Sequence, residues 1–133
     1  MRILFILSLV LAALPARAQT LEGVIQQTIT NQIEAMRDDD FETAFTFASP
    51  GLQSMFVTSE NFQNMVENGY PMVVDPAQIE YDELKMRGGA MVQSVQILDQ
   101  AGRVYELEYD LIPTDDGWVI NRVSILDSQM LGV

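Results

Sequence analysis

Arg103-Val104-Tyr105-Glu106-Leu107-Glu108-Tyr109-Asp110-Leu111-Ile112 puts Tyr105, Leu107, Tyr109 and Leu111 on one parity, and Glu106, Glu108 and Asp110 on the other. Successive side chains of a strand turn to opposite faces, so this pattern predicts a strand in a sheet covered on one side only. Residues 91–98 predict a second strand with weaker alternation. Arg87-Gly88-Gly89 precedes it and residues 99–102 follow it, each with the composition of a hairpin turn. Residues 78–86 form an earlier strand, and residues 113–117 lead into a last one at 118–126. Two of these strands change phase. Ile79 and Tyr81 are followed by Leu84 and Met86, while Trp118 and Ile120 are followed by Val123 and Ile125. One extra residue in each, a β-bulge, restores a single inward face and bends the sheet.

The half before the sheet is helical. Leu21, Val24, Ile25, Ile29, Ile33 and Met36 recur at three- and four-residue spacing, which predicts a helix with one buried stripe. Asp38-Asp39-Asp40 ends it. Asp39 with Glu42 has capping-box spacing and should open a second helix that buries Phe41, Ala44, Phe45 and Ala48 before Pro50. Leu52, Met55 and Phe56 suggest a helical turn. A third helix begins after Thr58 or Ser59, buries Phe62, Met65 and Val66, and should end on a left-handed cap at Gly69 before Tyr70-Pro71. The expected fold is α+β: three N-terminal helices packed on a curved antiparallel sheet of four to five strands.

Residues 1–18 have a different character. Arg2 precedes an apolar run at residues 3–14, Pro15 breaks it, and Ala16-Arg17-Ala18 supplies small residues at a peptidase site. This predicts a secretory signal peptide cut between Ala18 and Gln19, leaving one domain at 19–133. The run is shorter than the roughly twenty residues a spanning helix needs, so no membrane anchor is expected in the mature form. The expected location is the periplasmic space of a Gram-negative bacterium. Removing Arg2 and Arg17 leaves five basic residues against all nineteen acids, taking the net charge from −12 to −14. Such a surface repels phosphate backbones, so nucleic acid is not an expected partner. The chain has neither cysteine nor histidine. It therefore cannot build disulfides, thiolate or imidazole metal sites, or a Ser-His-Asp triad. No cofactor or metal site is expected.

Asp39-Asp40-Phe41-Glu42-Thr43-Ala44-Phe45, Ala48-Ser49-Pro50, the segment from Phe62 through Gly69-Tyr70-Pro71, and Gly117-Trp118-Val119-Ile120 together carry a family likeness. Across residues 21–126 the chain resembles the secreted bacterial family called domain of unknown function 4864, within the nuclear-transport-factor-2-like fold, a cone of curved sheet wrapped round helices. The resemblance implies the fold and carries over no catalytic residue. The wider fold includes isomerases, dehydratases and polyketide cyclases that combine an acidic or histidine base with tyrosine donors. The histidine version is absent here, and shared fold does not transfer a reaction.

Tyr81, Tyr105, Tyr109 and Trp118 share the inward parity and form the candidate ligand-binding set, since their rings supply area and their polar tips orient a ligand. Met36, Met55, Met65, Met86 and Met91 would make such a lining adaptable. Plain core packing also accounts for these rings. The aspartate triplet is read as a helix cap rather than a cation site. Glu106, Glu108 and Asp110 are read as a face turned to water, and Lys85 as ion-paired among Asp82, Glu83 and Arg87. The expected function is a non-enzymatic small-ligand-binding or envelope accessory domain whose partner is a small apolar molecule. An isomerase or hydro-lyase built on a carboxylate and tyrosines is the alternative. It needs an acid pointing inward, and Glu34 and Glu67 are the only helical acids near apolar stripes. A homodimeric interaction module is the third reading.

Overall fold

A computed structural model of the chain describes residues 19–126, so the expected signal peptide and its cleavage site at Ala18 fall at or beyond the edge of the described residues. Four helices precede four strands: α1 (Leu21–Arg37), α2 (Phe41–Thr46), α3 (Pro50–Phe56) and α4 (Ser59–Gly69), a 3₁₀ turn (Pro71–Val73), then β1 (Gln78–Arg87), β2 (Ala90–Leu98), β3 (Val104–Thr114) and β4 (Gly117–Ile125). The strands lie in sequence order in one open antiparallel sheet. The fold is α+β, with the 52–56 turn grown into a helix of its own. Among the described residues, no helix is long and apolar enough to cross a membrane.

Both phase changes are bulges. Asp82 and Glu83 together oppose Ser94, between the pairs Tyr81–Val95 and Leu84–Gln93. Asn121 is the extra residue of β4, between Ile120, opposite Leu111, and Arg122, opposite Asp110. The first is held by Gln93, which is fully buried. Its Nε2 donates to the carbonyls of Asp82 (3.1 Å), Glu83 (3.4 Å) and Ser94 (3.0 Å). The second is held from the helical layer, where Ser49 Oγ donates to Asn121 Oδ1 at 2.8 Å.

The core lies between the helices and the inward sheet face. Ile25, Ile29, Ile33 and Met36 of α1 meet Val95, Ile97, Leu107, Tyr109 and Leu111 of the central strands. A second seam joins the short helices to β4. Ala48 pairs with Ile120, with Ser49 N donating to Ile120 O and Ile120 N donating to Phe47 O, each at 2.8 Å. Farther along, Tyr70 Oη donates to Val123 O at 3.0 Å.

Two expected caps are corrected. The N-cap of α2 is Asp40, which accepts from Thr43 N at 3.1 Å; Asp39, at φ 59°, belongs to the left-handed turn that ends α1. Gly69 is the last residue of α4 rather than a left-handed cap. Pro71 disfavours helical backbone at the preceding residue, and Tyr70 leaves the helix at φ −136°. Hydrogen bonding from the Thr43 hydroxyl and amide holds the Asp40 carboxyl below its usual value. Its contribution to stability is therefore present above the ordinary carboxylate range and lost as pH falls through the lowered value. Asparagine caps as well as aspartate and does not titrate. Asp40→Asn should keep the melting temperature near wild type at neutral pH and fall less steeply in acid. Parallel acid limbs in the two melting curves would show that the cap carries none of the pH dependence.

Candidate functional site: a cavity under α3 and α4

The space between the helices and the β4 half of the sheet is not filled. A cavity of about 210 Å³ remains there. Its outer wall is Leu52, Met55 and Phe56 of α3, and its side wall is Phe62, Met65 and Val66 of α4. Met36 and Gln32 of α1, Tyr70 and Val73 of the turn, and Tyr109 with Ile120, Asn121 and Val123 of the sheet close the remainder. The aromatic frame is centred on Phe62. Phe45 stacks on it at 5.2 Å between ring centroids, and Phe56 and Phe41 meet it edge-on at 6.0 and 6.4 Å.

Local sequence explains why the room exists. Helix α3 starts on Ser49-Pro50, with Ser49 Oγ accepting from Leu52 N and proline at the first helical position. It has only seven residues and none of them is buried. The helix stops at Val57, whose φ of 72° and ψ of −49° form a tight turn in which Thr58 N donates to Phe56 O at 2.9 Å. A β-branched residue is strained in that region. Helix α3 is held against the domain from its middle, with Gln53 Nε2 donating to the carbonyls of Phe45 and Ala48. Met55, a lining residue, is 64% exposed on its other side.

Of the four aromatic residues expected to line a pocket, the structure brings only Tyr109 to this one. Tyr81 lies under α1, where its hydroxyl donates to Gln26 O (3.2 Å) and shares a hydrogen bond with Thr30 Oγ1 (2.6 Å). Tyr105 and Trp118 are half-buried against the core; Trp118 sits opposite Pro113 near the β3–β4 turn. Met36, Met55 and Met65 line the cavity. Met86 does not and is 76% exposed at the far edge, and Met91 lies in the core. Alternation did not single out Gln32, Asn121 or Ser49. Gln32 Nε2 donates to Ala44 O at 3.2 Å, which ties its amide to the wall of the cavity.

Among the described residues, no Asp or Glu lines the cavity. Glu34 is exposed on α1, and Glu67 is exposed on α4, where it accepts from Gln63. Burial pushes the Tyr109 phenol well above its usual value, with Tyr81 and Tyr70 adding to the effect, so its hydroxyl stays protonated. Arg122 also borders the cavity, but its register opposite Asp110 sets its side chain on the outer sheet face, so the lining offers apolar contact plus a few neutral hydrogen-bonding groups.

A sequence profile of the family described as Domain of unknown function (DUF4864) matches residues 18–133. The chain belongs to the DUF4864 family. No curated protein matches it. The family's description assigns no activity, so function must be argued from the geometry of this DUF4864 domain.

The outer sheet face of the DUF4864 domain is more covered than strand alternation implies. Glu108, expected to point to water, is 15% exposed, because Arg87 Nη2 reaches its Oε2 at 3.1 Å and Lys85 Nζ its Oε1 at 3.9 Å. Lys85 therefore pairs across the sheet rather than with Asp82 or Glu83. Glu106 accepts from Gln96 at 2.9 Å, and Asp110 Oδ1 is buried without a partner among the described residues. The physical reason is leverage. Long basic side chains on β1 reach across β2, past the outward and fully buried Val92, and both end on Glu108 of β3. Among the described residues, no group of three or more Asp or Glu side chains could hold a metal ion.

Proposed function

We propose that this DUF4864 domain binds a small apolar molecule in the cavity beneath α3 and α4, without catalysis, and does so outside the cytoplasm. The observation that carries the reading is the cavity itself: about 210 Å³, walled by Phe, Met, Val, Leu and Ile side chains. Binding pockets are characteristically apolar with few polar groups, and close packing elsewhere in a domain leaves few voids of that size. Methionines on three of its sides suit a lining that adapts to its occupant. The carboxylate-based isomerase or hydro-lyase finds no acid in the wall, among the described residues, to act as base. The location outside the cytoplasm rests on residues 1–18, with the basic residue, apolar run and small-residue site of an export signal.

A series of alkylbenzenes and aryl ketones titrated into the purified domain tests the binding reading. Saturable stoichiometric binding is expected, with a rise in melting temperature that grows with ligand concentration. Absence of both at millimolar ligand would overturn it. The mass of the chain recovered from a periplasmic extract of a Gram-negative host should begin at Gln19, and recovery of the uncut chain in the cytoplasm alone would overturn the export reading.

A further inference from the structure

We infer that the occupant of the cavity is an uncharged, mostly apolar molecule bearing one hydrogen-bond-accepting oxygen, a carbonyl or an ether, which the Tyr109 hydroxyl holds. This rests on the reading of the cavity as a binding site and adds the class of ligand and the residue that selects it.

Three tyrosines approach one another on the inward side of the sheet, and two of them are spoken for. Tyr70 Oη donates to Val123 O, and Tyr81 Oη is engaged by Gln26 O and Thr30. Tyr109 differs. It stands on the central strand β3 between Gln93 and Val123, only 1% of it is exposed, and it lines the cavity. Among the described residues its hydroxyl has no hydrogen-bond partner in the protein, and it is not one of the fully enclosed polar atoms that lack one, so it opens onto the cavity. Water reaching the cavity meets this donor in the free protein, and an occupant displaces that water. An occupant that supplies an acceptor replaces the lost hydrogen bond, whereas a plain hydrocarbon of the same shape leaves the donor unmet. Here the unmet polarity of the wall works as a selector, as in sites that reject ligands lacking the matching group.

The charge state of the ligand follows from its surroundings. Tyr109 is a neutral donor, and the polar neighbours Gln32 and Asn121 are amides already partly committed, to Ala44 O and to Ser49 Oγ. Arg122 borders the cavity but pairs with Asp110 across the strands, which by parity sets its side chain on the outer face. A carboxylate ligand would lose its hydration in this wall without meeting a cation, and a carbonyl loses far less. For size, an enclosed apolar cavity of ~150 Å³ takes benzene, so about eight non-hydrogen atoms fit here by proportion.

Acetophenone and α-methylstyrene differ only by oxygen in place of a methylene, and both, with about nine non-hydrogen atoms, are close to that size. Titrating each into the wild-type domain and into Tyr109→Phe tests the assignment. Both should bind wild type. Tyr109→Phe should weaken acetophenone about tenfold and leave α-methylstyrene unchanged or tighter. The variant should fold with a stability near that of wild type, since the hydroxyl it removes has no partner in the protein and the ring keeps its shape. Acetophenone affinity that does not fall, or equal losses for both compounds, would overturn the assignment and leave the binding reading standing. Failure of both compounds to bind wild type would overturn the two together. The carbonyl stretch of acetophenone bound to wild type gives a readout that needs no variant. It should lie below its value in hexane, and an unshifted band counts against the hydrogen bond.

Discussion

Phe62→Ala should lower the unfolding free energy by about 3–5 kcal/mol, the range for removing a large aromatic side chain from a core. Phe62 is 5% exposed, and the rings of Phe41, Phe45 and Phe56 all pack on it, so its removal also ends three aromatic pairings. Those three rings come from α2 and α3, the helices with the fewest residues. Little else in the short helices can close over the gap. Domains of this size have roughly 5–15 kcal/mol in total, so the variant should show a large drop in urea midpoint at unchanged slope. Phe62→Leu refills much of the space and should recover most of the loss. A midpoint shift for Phe62→Ala worth under about 1 kcal/mol would mean that the site collapses freely. The frame of the cavity would then be other than described.

Gln93→Leu should cost about 2–3 kcal/mol. The side chain is fully buried and serves three carbonyls at the β1 bulge, while its Oε1 accepts from Gln26 Nε2 at 3.4 Å. Leucine keeps the approximate volume and withdraws every one of those bonds. An unmet buried acceptor costs ~1–3 kcal/mol, and the exposed position of Asp82 and Glu83 allows their carbonyls to turn partly to water, which limits the total. The effect should be local as well as global. Amide exchange in β1 should accelerate more than exchange in β3, because only β1 loses its clamp. Uniform acceleration across the sheet would show that Gln93 matters as filler, not as the clamp of the bulge.

Much of this architecture was legible in the sequence, because parity is a strong signal. The phase changes at Tyr81/Leu84 and Ile120/Val123 marked both bulges, and the sheet face of Tyr105, Leu107, Tyr109 and Leu111 is the buried one. Where the sequence reading slipped, several groups competed for one local role. Three successive aspartates offered adjacent capping positions, and the choice fell on Asp40 because Asp39 had to absorb the left-handed turn. The candidate site was legible only in part. Parity places four aromatic residues on the inward face but does not say which end of the sheet the helices leave unfilled. Helix α1, with Gln26 and Thr30, closes over Tyr81, whereas the short α3 leaves room beside Tyr109. Gln93 and Ser49 carried no periodic signal at all. Their importance comes from what they hydrogen-bond across distant stretches of chain.

The pairing of Ala48 with Ile120 has a consequence for how copies of this chain behave toward one another. An open sheet has two rims of unpaired backbone, and such rims recruit foreign strands into aggregates. On the β4 rim the chain has already spent the amide and carbonyl of Ile120 on its own Phe47 and Ser49, and Tyr70 occupies the carbonyl of Val123. The β1 rim is interrupted by the Asp82-Glu83 bulge and carries Glu80, Lys85 and Arg87. A second copy adding to the sheet at Ile120 would have to displace the segment from Phe47 to Ser49 that already pairs there. The β4 rim is thus partly closed by the chain's own helical segment, and the β1 rim is made a poor template by its bulge and its charges.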